Sequence, residues 1–479
     1  LLVMLDQCDE VVAKIRRNSL SFGTSVALTY VLVAITQSIE RLHKLLFLVD
    51  VSESAIDGAP GLLSAPQDAP EAFEGAPSES RAMVAMPRQA QERPPSAQRA
   101  AALALAQELV EAHNTKYQVR GLFRDNIHLL ARNVTENASR TGEHYIAESR
   151  AQLRSMFKAA AGAGFIVGFM AMFKILLGYL RAAPLVEAFL FSMNYSLGFM
   201  LVHMLRWTIA TKQPAMTAQR IAAGLHSPDG RSIDFDRMAE LVNKVFRTQI
   251  VAVLGNVLLA FPTALLIAIA YQQMMGKHLV SPDKALHLLH DIDPFGTPAL
   301  LYAAIAGVWL FVAGLISGYY DNKALYTRMG QRVRQLRWLG TLLGIERRDR
   351  LSRYVENNLG GLMGNFFFGI LLGTTGTVGF LLGLPLDILH VTFSTANFAT
   401  ALVGLDYRMS LPMVANAAAG VALIGAVNLL VSFSLALWVA LRARKIQFNR
   451  SILLMHALGR RFLYAPIDFF IGLRDVDNI

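Results

Sequence analysis

Six long apolar runs dominate the second half of the chain, and each carries the pattern of a membrane helix. Residues 159–180 make a run of 22 with a single charge, Lys174. After Arg181-Ala182-Ala183, Pro184 opens a second run to residue 205, interrupted by Glu187 and His203. Further runs cover 250–270, 298–320, 360–386 and 411–441. Each exceeds the roughly 18 residues with few charges that mark a spanning helix. In hydrocarbon a backbone amide has no water to bond, so such runs must be helical. The expected fold class is all-α: a polytopic helical membrane protein with about six transmembrane helices and an N-terminal cytoplasmic helical region.

The first 158 residues read differently. Residues 1–51 show apolar positions at helical spacing with charges between them. Their most apolar stretch, 26–35, is too short for the roughly 20 residues of a crossing, which predicts a small helical bundle. The chain opens on Leu1 without a signal-peptide pattern, which reads as a truncated start. Residues 52–100 hold seven of the 17 prolines among Ala, Gly, Ser and Gln. That composition buries too little apolar surface to offset its ordering entropy, so a flexible linker is expected. Residues 101–158 return to amphipathic helical patterns, the membrane domain follows at 159–441, and 442–479 forms a tail.

Composition fits this division. The 479 residues are 54% hydrophobic and 17% charged, whereas soluble domains run to roughly 45–50% apolar and about 25% charged. The lone cysteine, Cys8, excludes a disulfide framework and a cysteine-based zinc site. The net charge of +10 is concentrated in alternate connections. Lys and Arg number seven over 206–247, nine over 323–353 and seven over 442–474, against one, two and one in the intervening connections. By the positive-inside rule the rich connections and both termini face the cytoplasm of a bacterial inner membrane. A seventh crossing at 388–405 would carry the basic tail outside. That segment is therefore expected to be re-entrant or surface-lying, packed against protein.

The candidate chemistry is sparse. Glycines 314, 318, 360, 364, 369, 373, 376, 379 and 383 predict close helix packing, with a possible break over 373–383 before Pro385 and a kink at Pro262. Lys174 and Glu187, on either side of a three-residue turn, are expected to form an intramembrane charge pair, the alternative being a proton or ion path. Asn194, Asn256, Asn365, Asn416 and Asn428 are expected to bridge helices. His287, His290, Asp291 and Asp293 are weak candidates for a divalent metal, against the plainer reading of an amphipathic surface helix. Arg328, Arg332, Arg334, Arg337, Arg347, Arg348, Arg350 and Arg353, with Trp338 and Tyr354, make the strongest basic loop. It suits anionic lipid head groups better than a nucleic-acid backbone. Phosphate-loop, HExxH and GxSxG motifs are absent, and Gly162-x-Gly164 lacks the strand that a dinucleotide turn needs. No catalytic residue, metal or cofactor is assigned.

Several unusual segments carry a resemblance. They are Thr141-Gly-Glu-His-Tyr-Ile146, Gly314-Leu-Ile-Ser-Gly-Tyr-Tyr-Asp-Asn-Lys323, Tyr354-Val-Glu-Asn-Asn-Leu359, Asn365-Phe-Phe-Phe-Gly369, Gly383-Leu-Pro-Leu-Asp387 and Val403-Gly-Leu-Asp406. Together they resemble a bacterial, mainly proteobacterial, transmembrane family that carries the name site-specific recombinase. The resemblance implies a polytopic membrane protein and brings no catalytic residues with it. The only local echo of a tyrosine recombinase is Tyr354 beside Arg350 and Arg353. The expected function is thus transporter-like or a membrane scaffold, with membrane lipids as partners. The alternative is a membrane-tethered protein of DNA binding and site-specific recombination.

Overall fold

The structure is a computed structural model, and it describes residues 2–22, 26–49, 96–115, 146–209 and 235–443, with a few positions between 456 and 464. The stretch expected to be a linker lies outside the described residues as far as position 95, and so does most of the tail. Among the described residues every regular element is helical. The chain divides into two compact units, one of Leu1–Ala131 with His226–Ser232, the other of Arg132–Leu225 with Ile233–Ile479.

In the first unit, α1 (Leu2–Phe22) and α2 (Val26–Val49) form a hairpin, and α3 (Ser96–Thr115) packs on α2. The hairpin core is small: Leu5, Val12, Leu32 and Ile39, with Leu46 beside them. An ion pair between Lys44 and Glu108 ties α3 to α2.

The second unit is the membrane bundle. Its helices are α4 (Arg150–Gly178), α5 (Pro184–Met204), α6 (Phe235–Met275), α7 (Pro282–Asp291), α8 (Ala299–Tyr326), α9 (Met329–Gln335), α10 (Arg337–Leu343), α11 (Ile345–Leu382), α12 (Val391–Gly404) and α13 (Leu411–Ala443). Six of them, α4, α5, α6, α8, α11 and α13, are long and apolar enough to cross a membrane. They coincide with the six apolar runs. Local chemistry sets their ends: Ser149 caps α4 by accepting from the Gln152 amide at 3.2 Å, and Pro184 opens α5 at its first position. Residues 150–158, read from sequence as part of a soluble segment, are the first turns of α4. Helix α6 continues unbroken through Pro262.

Glycine sets the packing of α11. A Cβ on Gly369 would lie 2.2 Å from the Ser196 amide nitrogen and one on Gly373 2.4 Å from that of Ser192, so α5 and α11 touch backbone to backbone. Ser196 Oγ then donates to the Phe366 carbonyl at 2.7 Å across the same seam. On the other side, Gly360 and Gly364 meet Ser317 of α8, and the Gly360 amide donates to the Asp321 carboxylate at 3.0 Å. The helix stays regular through Gly373, Gly376 and Gly379, contrary to the break suggested there. These glycines provide close approach rather than backbone freedom. The break comes at Gly383, in the left-handed region with φ +67°. There Leu384 N–H bonds Gly379 O at 2.9 Å and Gly383 N–H bonds Phe380 O at 3.2 Å, the Schellman way of closing a helix end.

The seam predicts opposite outcomes for two substitutions in one helix. Gly369→Val should lower the apparent unfolding temperature in detergent, by the equivalent of about 1–3 kcal/mol for overpacking. Gly376→Ala meets only Asp387 Oδ1 at 3.6 Å and should be neutral or mildly stabilising.

Candidate functional site

Residues 384–404 form a re-entrant hairpin. After Gly383 the chain folds back along its own helix: Leu386 and the Leu384 carbonyl press on Gly379, and Asp387 faces Gly376. The extended limb continues inward until His390 stands beside Phe368, ring centroids 6.2 Å apart. Phe368 is eleven residues before Gly379 on α11, or roughly 16 Å down the helix at 1.5 Å per residue. From this tip α12 climbs back, and its last residue, Gly404, meets Val280 and Ala285 at the loop and helix α7. Fourteen residues rise only about 21 Å, too short for a crossing. Nearly all of α12 is buried. The segment packs against protein and does not span.

An extended backbone among membrane helices must find internal partners: the Leu386 amide takes the Leu384 carbonyl at 2.8 Å, the Ile388 amide takes Asp387 Oδ1 at 2.7 Å, and two asparagines brace the tip. Asn428 Nδ2 donates to the carbonyls of Leu389 at 3.0 Å and Ala303 at 2.7 Å, while its Oδ1 accepts from the Val391 amide at 3.1 Å. Asn256 Nδ2 donates to the Ala160 and Thr208 carbonyls at 2.6 and 3.1 Å, and its Oδ1 accepts from the Thr392 hydroxyl at 3.2 Å. The Leu389 amide reaches the Tyr302 carbonyl at 3.4 Å. His390 caps α12, its Nδ1 accepting from the Thr392 amide. Ser394 Oγ, in the first turn, is buried with no hydrogen-bond partner. Asn194 also bridges helices, donating to the Met170 carbonyl at 2.9 Å.

Lys174 stands beside this hairpin. Its ammonium lies 5.7 Å from the ring centroid of Phe191 and 5.9 Å from that of Tyr195. Its electrostatic neighbours are Tyr195, Asp387 of the extended limb and Asp291 at the end of α7. From Tyr195 an aromatic column leads inward, to Phe393 at 4.9 Å and Phe199 at 6.2 Å, then from Phe199 to Phe368 at 5.0 Å. Glu187, in the first turn of α5, makes no ion pair with Lys174 within 4.0 Å. Asp387 and Asp291 likewise lie beyond ion-pair distance and act on the lysine only through the field of their charges.

The proposed metal residues separate. His287 Nδ1 and Asp291 Oδ2 pair at 3.0 Å one helical turn apart. Asp293 Oδ1 accepts from the Phe295 and Gly296 amides at 3.0 and 3.2 Å, closing the loop into α8. Those amides, led by Phe295 and helped by the Asn416 side chain, hold its carboxyl below the ordinary range. Among the described residues no three His, Cys, Asp or Glu side chains gather as a metal set.

The basic loop becomes α9, α10 and the first turns of α11. Arg334 Nε donates to Ser352 Oγ at 3.2 Å, Arg348 pairs with Asp349 at 3.0 Å, and Arg350 pairs with Glu346 at 3.4 Å. Arg328 is the left-handed residue that opens α9, with φ +48°. Arg328, Arg332, Arg337, Arg347 and Arg353 are exposed, with Trp338 among them. The Tyr354 hydroxyl is buried and makes no hydrogen bond.

The reach of this field is testable by double-mutant cycles on unfolding in detergent. Lys174→Met and Asp387→Asn should be non-additive, with a coupling of about 0.5 kcal/mol or more. Lys174→Met and Glu187→Gln should add within error.

Similarity to known proteins is narrow. No curated protein and no solved structure matches the chain. A family model described as site-specific recombinase matches residues 1–472. With nearly its full length covered by that match, the chain belongs to the site-specific recombinase family.

Proposed function

We propose that this protein is transporter-like, residing in a bacterial inner membrane with its arginine-rich connections and both termini in the cytoplasm. The carrying observation is the re-entrant hairpin 384–404, an extended limb and a short helix that meet beside Phe368 within the bundle. Irregular backbone at membrane depth has to be held by polar side chains, and discontinuous helices of this kind form the substrate and gating elements of transporters. Lys174, beside the hairpin and within the field of Asp387 and Asp291, supplies fixed charge along the path a solute would take. The charge asymmetry of the connections supports the orientation.

A membrane scaffold is the second reading, and the glycine seams favour it. The faces of α11 at Gly360, Gly364, Gly369 and Gly373 are filled by α8 and α5, which leaves no room for a solute there. The family's name raises DNA recombination as a third reading. A tyrosine nucleophile must present its hydroxyl to a phosphate, whereas that of Tyr354 is buried. That burial counts against recombinase chemistry at the one local Arg-Tyr cluster. The exposed arginines suit anionic lipid head groups at the membrane surface.

Thiol accessibility in intact cells separates the first two readings. On a Cys8→Ser background, single cysteines at Asp387, Thr392 and Ser394 should all react with a small membrane-impermeant thiosulfonate applied from outside. Reaction at Asp387 alone, with the two deeper positions inert from both sides of the membrane, would favour the scaffold and end the transport reading. For the DNA reading, the detergent-purified chain should show no duplex binding at low salt. Retention that falls steeply with log salt would restore it.

A further inference from the structure

The α1–α2 hairpin carries an open apolar face, and we propose that two copies of this chain meet there, hairpin against hairpin, in a four-helix bundle. The contact between α1 and α2 uses Leu5 and Val12 of one helix with Leu32, Ile39 and Leu46 of the other, spaced seven apart. A second series runs one residue ahead of it in each helix. In α1 it is Met4, Cys8, Val11 and Ile15; in α2 it is Val31, Ile35, Ser38, Leu42 and Leu45. The spacing alternates three and four, the signature of a coiled-coil seam.

All of these side chains are exposed: Met4 at 65%, Val11 at 55%, Val31 at 47% and Leu45 at 47%, with Cys8 exposed as well. The two series fall on the same side of the hairpin. The helices are antiparallel, since His43 late in α2 approaches Asp6 and Asp9 early in α1 at 3.8 and 3.7 Å. A step of one residue back from the contact then turns both helices toward the same face. The His43, Asp6 and Asp9 cluster occupies the opposite face, so one side is polar and the other apolar. Among the described residues only four are buried between α1 and α2, a small core for two helices in water, and a mate on the apolar face would enlarge it.

Charge selects a second copy as that mate. The sequence of α1 is acidic in its first half, with Asp6, Asp9 and Glu10, and basic in its second, with Lys14, Arg16 and Arg17. Two α1 helices crossing antiparallel about a two-fold axis near residue 12 set Glu10 of each against Lys14 of the other. An isologous interface needs self-complementarity of this kind. A hairpin built to lie on an anionic lipid surface would instead carry a uniformly basic rim.

Crosslinking of the full chain in its native membranes tests the arrangement, because Cys8 is the only thiol. A short bis-maleimide should join two chains through Cys8. On the Cys8→Ser background, Val11→Cys, close to the axis, should form an interchain disulfide on mild oxidation, whereas Met4→Cys and Asp9→Cys should not. Val31→Glu with Leu42→Glu should abolish the Cys8 crosslink and leave the unfolding temperature of the membrane bundle unchanged. Glu10→Lys and Lys14→Glu should each lose crosslinking, and co-expression of the two should restore it. Absence of any interchain product across the seam would overturn the proposal. So would protection of the seam cysteines by lipid, detected as reaction with a bilayer-dissolved maleimide and no dimer.

Discussion

The architecture of the membrane bundle depends on one constraint: inside hydrocarbon, every peptide N–H and C=O must find its partner within the protein. The six long helices meet it by construction. Residues 384–390 are extended and have no helical ladder, so their groups take separate partners: the Leu386 amide the Leu384 carbonyl, the Ile388 amide Asp387 Oδ1, and the Leu389 amide the Tyr302 carbonyl. At the tip, Asn428 bonds the Leu389 carbonyl and the Val391 amide together with the Ala303 carbonyl, while Asn256 ties the Thr392 hydroxyl to the Ala160 and Thr208 carbonyls. Both side chains are fully buried. Each links three or more chain segments, so the hairpin, α4, α6, α8 and α13 are fixed relative to one another through two residues.

Close approach is the second organising device, and it serves the first. Lipid gives helices little hydrophobic reason to associate, so contact area has to come from small residues. Along α11, glycines on one side admit the backbone of α5 and on the other side α8. Serines 192, 196 and 317 line the same seams. Their hydroxyls are small enough to preserve the approach, and Ser196 adds an interhelical bond. The bulk expelled from these seams collects elsewhere: Phe199, Phe368, Phe393 and Tyr195 form the aromatic column against which the hairpin rests. Near the far end of α8, Asp321 turns toward the Gly360 amide. A carboxylate can reach a mid-helix amide in this way only where the facing residue has no side chain.

Much of this was legible in the sequence, because the signals were local. Run length and low charge placed the six spans, Pro184 placed the start of α5, and the charge count argued that 388–405 does not cross. Asn256 and Asn428 were recognisable as bridges because an amide in an apolar run has few other uses. What escaped was long-range. Lys174 and Glu187 flank one turn, but no ion pair forms between them within 4.0 Å, and the carboxylates whose charge bears on the lysine, Asp387 and Asp291, belong to segments more than a hundred residues away. The four-residue His/Asp cluster resembled a metal set because sequence spacing hides direction. On a helix, His287 and Asp291 share a face, while Asp293 has already left it to close the next loop. The depth of the hairpin tip was equally hidden, since it is set by where Gly383 reverses the chain.

The family name and the physical arrangement point in different directions, and the arrangement is the stronger guide to chemistry. Strand exchange on DNA requires a nucleophile exposed beside cationic groups on a surface that can enclose a duplex. Here the arginines are distributed along α9, α10 and the start of α11, several engaged with Asp349, Glu346 and Ser352, and the one tyrosine among them turns its hydroxyl inward. The unusual features of the fold lie elsewhere, in an extended limb that ends buried among helices at Leu389 and His390 and a lysine held near the rings of Phe191 and Tyr195.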